Sequence, residues 1–291
     1  MRKQISFQNI PQISAIYFAM LQCGYEYYAH EKNADFVKTI EKFRTQHINY
    51  DVSFFSQIKQ KTCEVYPYWP RAALLESATF FLEKEAIQFR DFEIFRNNIM
   101  SAGNISDIER NQDLWKWIES FPAALACIMQ CSDFKVYLEW ENKWIQKQNI
   151  IWKSDLEHIQ YILDNCAKYY NSPIQSVSIV LNPIKCAYFA DYHINKNRLF
   201  FCSGDFNVES VVHEFLHHVI HPFVEKSRAD ILKSSTVYPG IDKSYYLSGD
   251  EDGKINAFEE YMVRHISKKI LAKSFPLNLD FYIKDVLRGF S

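Results

Sequence analysis

Glycine is scarce in this chain: 7 residues in 291, against 23 Phe and 18 Tyr. A fold of many tight hairpins needs more residues free to adopt left-handed backbone, so the expectation is a helix-rich, tightly packed protein. No sign of charge dominates: 33 Lys and Arg against 35 Asp and Glu give a net charge of −2. That leaves no basic footprint for nucleic acid. No run of 18 apolar residues occurs, so no membrane span is expected. The seven Cys are odd in number, scattered and without a C-x-x-C pair, which reads as reduced, mostly buried thiols. Cys127 and Cys131 lie four apart on an expected helix, where core packing and metal binding are both open. Targeting signals are missing too. Met1-Arg2-Lys3 is basic and Ile13 to Leu21 is apolar, but Ser14 and Tyr17 interrupt that run and no Ala-x-Ala-like site follows. A first amphipathic helix and a cytoplasmic location are the expectations. With 48% apolar and 23% charged residues, the chain can bury one large core or two smaller ones.

What is present is His213-Glu214-Phe215-Leu216-His217, which reads H-E-x-x-H. On a helix, positions i and i+4 share a face, so both imidazoles can reach one ion. The intervening Glu214 then stands beside an open coordination position, ready to take a proton from water, which is the layout of a zinc hydrolase. Val208, Val211, Val212, Phe215 and Val219 form a helical apolar stripe around the motif. Asn207 is the expected N-cap, and Pro222 the expected end. The blander reading is a solvated helix face that carries His by accident.

Two His do not complete a zinc site; a third protein ligand is needed. His221, one turn beyond His217, would crowd the ion from one side, and His218 points about 100° away. The metzincin continuation of the motif is out of register. A later helix offers Glu259 and Glu260. It is read from the buried stripe Ile255, Phe258, Met262, Ile266 and Ile270, after the turn-rich Ser248-Gly249-Asp250-Glu251-Asp252-Gly253. The helical wheel favours Glu259, about 40° from Ile255, with Glu260 near 140°. Glu259 could also complete a capping box with Asn256.

The run Glu259-Glu260-Tyr261-Met262-Val263-Arg264-His265-Ile266 resembles the ligand helix of gluzincin zinc metallopeptidases, with Glu replacing the Asn of their Asn-Glu pair. It is similar as well to a bacterial family of uncharacterised putative metallopeptidase domains. The resemblance spans about residues 175–270. It implies Zn2+ held by His213, His217 and Glu260, with Glu214 as general base. It also implies hydrolysis of a peptide or protein substrate. In that reading Glu260 is the ligand, against the wheel's choice of Glu259.

The chain is read as α+β. Residues 1–170 form a helical N-terminal region and residues 171–291 a zincin-like catalytic domain. Ala34 to Gln46, Trp69 to Glu85, Ser106 to Glu119 and Lys153 to Tyr170 read as helices, the last stopped by Asn171-Ser172-Pro173. Val177 to Leu181 reads as a strand, and Tyr188 to Tyr192 with Leu199 to Cys202 as a hairpin. The helix, strands, H-E-x-x-H helix, ligand helix order resembles the zincin fold, and residues 199–202 are the expected edge strand for an extended peptide. Tyr238, Tyr245, Tyr246 and His265 are candidates to stabilise charge on the substrate oxygen. Arg264 is a candidate for a carboxylate, either the substrate's or a buried one. Trp115, Trp117, Trp140, Trp144 and Trp152 are expected to pack. The competing function class is a catalytically inactive, zincin-like metal-binding or protein-interaction module.

Overall fold

In a computed structural model, the described residues are 4–26, 32–45, 49–62, 71–84, 86–102, 115–186, 190–234, 237–242, 251–272 and 277–290. In chain order they form β1 (Phe7–Gln8), α1 (Pro11–Gln22), α2 (Ala34–Glu41), α3 (Ser53–Thr62), α4 (Arg71–Thr79), β2 (Leu82–Glu83), β3 (Gln88–Phe89) and α5 (Phe92–Ala102). Then come α6 (Phe121–Gln130), α7 (Ser132–Ile151), α8 (Lys153–Tyr170), β4 (Ser176–Leu181), β5 (Asp191–Asn195), β6 (Arg198–Ser203), α9 (Val208–Lys226), α10 (Arg228–Lys233), α11 (Glu251–Leu271) and α12 (Leu279–Arg288). The class is α+β, as the sequence implies.

The sheet is where the chain before and after residue 170 meets. Its order is β1-β4-β6-β5, with β1, β4 and β6 parallel and β5 antiparallel to β6. Alternation in the strands feeds two cores. Val177, Ile179 and Leu181 of β4 and Leu199 and Phe201 of β6 face α8, α9, α11 and α12. Val180, Phe200 and Cys202 face the opposite core, built on α1, α3, α4 and α6. A strand buried on both faces reads as a continuous apolar run, which is what Val177–Leu181 is apart from Ser178.

Several expectations need correction. Residues 199–202 are not an edge: β6 lies between β4 and β5, and the outer strands among the described residues are β1 and β5. The hairpin is tighter than expected, with Lys196-Asn197 alone between β5 and β6 and Lys196 at φ 58°. Pro222 does not end α9, which continues to Lys226. A proline there removes one late backbone bond, and burial of Val224 beyond it outweighs that loss. α1 is not amphipathic: every residue from Ile13 to Gln22 is buried, as in a helix at the centre of a core. The helix expected over 69–85 covers Arg71–Thr79 and gives way to the β2–β3 hairpin, where Leu82 is buried. The helix expected to reach Gln46 stops at Glu41, where Arg44 turns back to Glu41 and to the carbonyl of Leu21. Glu251, Asp252 and Gly253 are not a turn but the first turn of α11, where the acidic pair suits the helix dipole. Of the helix expected over 106–119 and the strand over 188–192, residues 106–114 and 188–189 lie outside the described residues.

α8 and the start of α9 are as the periodicity implies. Asn171 ends α8 in the left-handed conformation at φ 51°, which Asn tolerates better than most residues. Asn207 caps α9 by accepting from the backbone N–H groups of Glu209 and Ser210. The tryptophans pack: Trp140 and Trp144 stand 6.4 Å apart and contact Phe36, and Trp152 meets Phe206 edge-on. Cys131 caps α7 through its sulfur, which accepts from Phe134 N–H. No described helix is long and apolar enough to cross a membrane.

Candidate metal centre

α9 and α11 pack side by side, and their contact builds the site. The apolar side of α9, with Val212, Phe215, Leu216 and Val219, is buried in the core. This leaves His213, Glu214 and His217 half-buried on the side that meets α11. α11 is buried nearly all round, including both Glu259 and Glu260. That is why a wheel drawn from one apolar stripe could not separate the two.

The three donor atoms expected to hold an ion come together. His217 Nε2 lies 3.3 Å from His213 Nε2 and 3.3 Å from Glu260 Oε2, and His213 Nε2 lies 3.4 Å from Glu260 Oε2. Donors arranged tetrahedrally at about 2.0–2.1 Å from a zinc ion stand about 3.3–3.4 Å from one another. The donor spacings therefore match those around a zinc-sized ion. Glu260 completes this triangle, and Glu259 does not.

Glu259 has a different place. Its carboxylate accepts from Nδ1 of His217 at 2.8 Å and from Nδ1 of His221 at 2.7 Å. A proton on Nδ1 of His217 shared with Glu259 fixes the ring and leaves the Nε2 lone pair for an ion. Asn256 and Glu259 form no capping box, because α11 starts at Glu251. Arg264 donates from Nε to Glu260 Oε1 at 2.6 Å and from Nη1 to the carbonyl of Gly240, so it holds the buried carboxylate while Oε2 faces the imidazoles.

The charged groups of the site shift one another's protonation. Burial alone would lower the His217 pKa, yet Glu259, Glu260 and Glu214 outweigh it and lift the imidazolium to about 10. Glu260 is driven the other way: although buried, it is held well below the usual carboxylate range by His213, His217 and Arg264. Glu214 is pushed up by burial, with the two imidazoles opposing. A carboxyl group moved up towards neutrality is better matched to exchanging a proton with water.

Sequence reasoning did not find Tyr192. It lies on β5, its ring nearly parallel to that of His217 at 6.4 Å and edge-on to His218 at 5.0 Å. The only sequence signal was its place on a strand preceding the motif. Of the candidate oxyanion groups, Tyr238 is buried against Phe258, Tyr261 and Phe290, with its hydroxyl at 3.0 Å from Ser234 Oγ. His265 Nδ1 donates to the carbonyl of Tyr261 in its own helix. Tyr245 and Tyr246 lie outside the described residues.

A second group of possible donors, Glu76, His193 and Cys202, is fully buried between α4 and the sheet. Its chemistry differs. Lys185 Nζ already sits 2.6 Å from Glu76 Oε1 and pairs with Asp191, while His193 Nε2 is at hydrogen-bond distance, 2.8 Å, from Glu76 Oε2. Glu76 stays ionised, at about 2 despite burial, because of Lys185 and His193. Burial drives the Cys202 thiol up, away from the thiolate a metal would need. This is an ion-pair network that ties α1, through Tyr17, and α4 to β5. Comparison of the chain with protein-family models, with curated proteins and with solved structures gives no match.

Proposed function

We propose that this chain is a zinc-dependent peptidase of the gluzincin type. The observation that carries the reading is the equal spacing of His213, His217 and Glu260, with Glu214 adjacent and Glu259 behind His217. His213, His217 and Glu260 would hold the ion. When bound, zinc polarises a carbonyl and lowers the pKa of a coordinated water.

The protein's own groups account for the rest. Glu214 accepts a proton from the attacking water and delivers it to the leaving amine. Its desolvated setting suits both halves of that exchange. Glu259 and His221 keep the His217 ring in place, and Arg264 does the same for Glu260. A peptide amide suits this arrangement, since its nitrogen must be protonated to leave. Tyr192, beside His217 on the sheet edge, is placed to line the substrate path.

The test is peptide hydrolysis with and without a chelator, in wild type and in Glu214→Gln. Hydrolysis is expected to stop with the chelator and return with zinc. Glu214→Gln should keep the metal and lose about 100-fold or more in rate, because an amide cannot accept the proton. Hydrolysis that survives the chelator, or an unimpaired Glu214→Gln, contradicts the reading. Bound zinc with no hydrolysis of any peptide favours the inactive metal-binding module instead.

A further inference from the structure

The tip of the β5–β6 hairpin carries a feature that the metal centre does not use. A cavity of about 490 Å³ opens there, lined by Arg90, Asn195, Lys196, Asn197, Arg198 and Phe200 among others, with no carboxylate among the described lining residues. Arg198 is half-buried. Its Nε and Nη2 donate to Ser178 Oγ at 2.9 and 2.6 Å, and its guanidinium lies 4.5 Å from the centre of the Phe200 ring. Arg90 reaches in from the end of β3, anchored by Nη2 on the carbonyl of Phe80. Among the described residues, none of Arg90, Lys196 and Arg198 has an acidic partner.

Three cations line this one cavity, Arg198 half-buried and Arg90 and Lys196 exposed. Burial lowers the Arg198 pKa, and among the described residues no acid offsets that cost. The guanidinium of Arg198 is already held by a hydroxyl and an aromatic face, so little freedom is lost when its remaining N–H groups meet a ligand. Lys196 adds a further sign. It sits at φ 58° in a two-residue hairpin turn, where Asn or Gly would be less strained. Backbone strain retained at a charged residue is a mark of a functional position.

We propose that this cavity is an oxyanion-binding site for a carboxylate or phosphate group. Arg198 presents a preorganised fork, Arg90 and Lys196 close on the charge, and the amides of Asn195 and Asn197 are available as further donors. The site is an exosite. Asn195 lies three residues along β5 from Tyr192, about 10 Å at strand spacing, and Arg198 shares with Phe200 the face of the sheet turned away from α9. Its occupancy does not depend on metal or on peptidase activity.

Calorimetric titration of the full chain with inorganic phosphate, with an acidic tetrapeptide of blocked termini and with its Gln counterpart tests this. Binding of phosphate or of the acidic peptide, but not of the Gln peptide, is expected, and it should weaken with added salt. The arm that binds identifies the source, a phosphate group or an acidic polypeptide. Lys196→Asn removes a charge at a backbone conformation Asn accepts more readily, so it should fold at least as well as wild type. It should bind about tenfold more weakly. Lys196→Asn combined with Arg90→Gln should weaken binding further. Arg198→Lys, which keeps the charge and loses the fork, should weaken it as well. No binding of either anion, or binding that the double variant leaves unchanged, overturns the proposal.

Discussion

At the scale of single residues, the central contrast is between Glu259 and Glu260. They are neighbours on α11 and point about 100° apart. Glu260 joins His213 and His217, while Glu259 bonds the far nitrogen of His217. Glu260→Ala is therefore expected to abolish tight zinc binding. Glu259→Ala should weaken it about 10- to 100-fold, the usual effect of removing a carboxylate that orients a ligand His. Zinc affinities measured by competition with a chromophoric chelator check both; equal and small effects would contradict the assignment. His213, Glu214 and His217 were legible in the sequence because their relation is local, one helical turn. The role of Glu259 was not, because its partner His217 is 42 positions away and only packing of α9 on α11 brings them together. The same holds for Tyr192, which reaches His217 from a strand across the sheet.

At the scale of elements, the approach to α9 depends on a close passage of two backbones. Gly204 follows β6, and a Cβ there would lie 1.9 Å from the carbonyl oxygen of Lys185. Lys185 belongs to the buried ion-pair network, so the segment cannot easily give way. Gly204→Ala is expected to destabilise the protein by about 1–3 kcal/mol or more, the range for forced overpacking. Urea unfolding checks it, and unchanged stability would show that the passage is looser than described. Periodicity revealed the existence of α8, β4, α9 and α11, because each carries a continuous apolar stripe or run. It placed the ends of α8, but not the end of α9 or the neighbours of β6. Pro222 was read as a stop although burial of Val224 carries α9 past it. The edge was assigned to β6 because pairing order is a long-range property that composition does not encode.

At the scale of the whole molecule, buried polar groups join the segments around the sheet. Glu141 of α7 is wholly buried and accepts from Ser14, Asn9, Tyr137 and Asn182. Burial pushes its pKa up to about 7 from 4.5, against the pull of those donors. The folded protein thus binds more protons than the unfolded chain between these values. The contribution to stability is full below the unfolded pKa and is lost as pH rises through about 7, a change of about 3 kcal/mol. Urea titrations at about pH 5 and about pH 8 should show wild type losing about 2–3 kcal/mol more than Glu141→Gln on going to the higher pH; parallel losses would contradict it. The helix-rich α+β class followed from the shortage of glycine and the apolar stripes. The joining of Phe7–Gln8 to β4 did not, since two residues carry no periodicity. The most direct test of the account is a zinc-loaded crystal measured at the zinc absorption edge. The expected result is one anomalous peak per chain within about 2.0–2.2 Å of His213 Nε2, His217 Nε2 and a Glu260 oxygen. A peak ligated by Glu259, a peak at Glu76, His193 and Cys202, or no peak between α9 and α11 would contradict it.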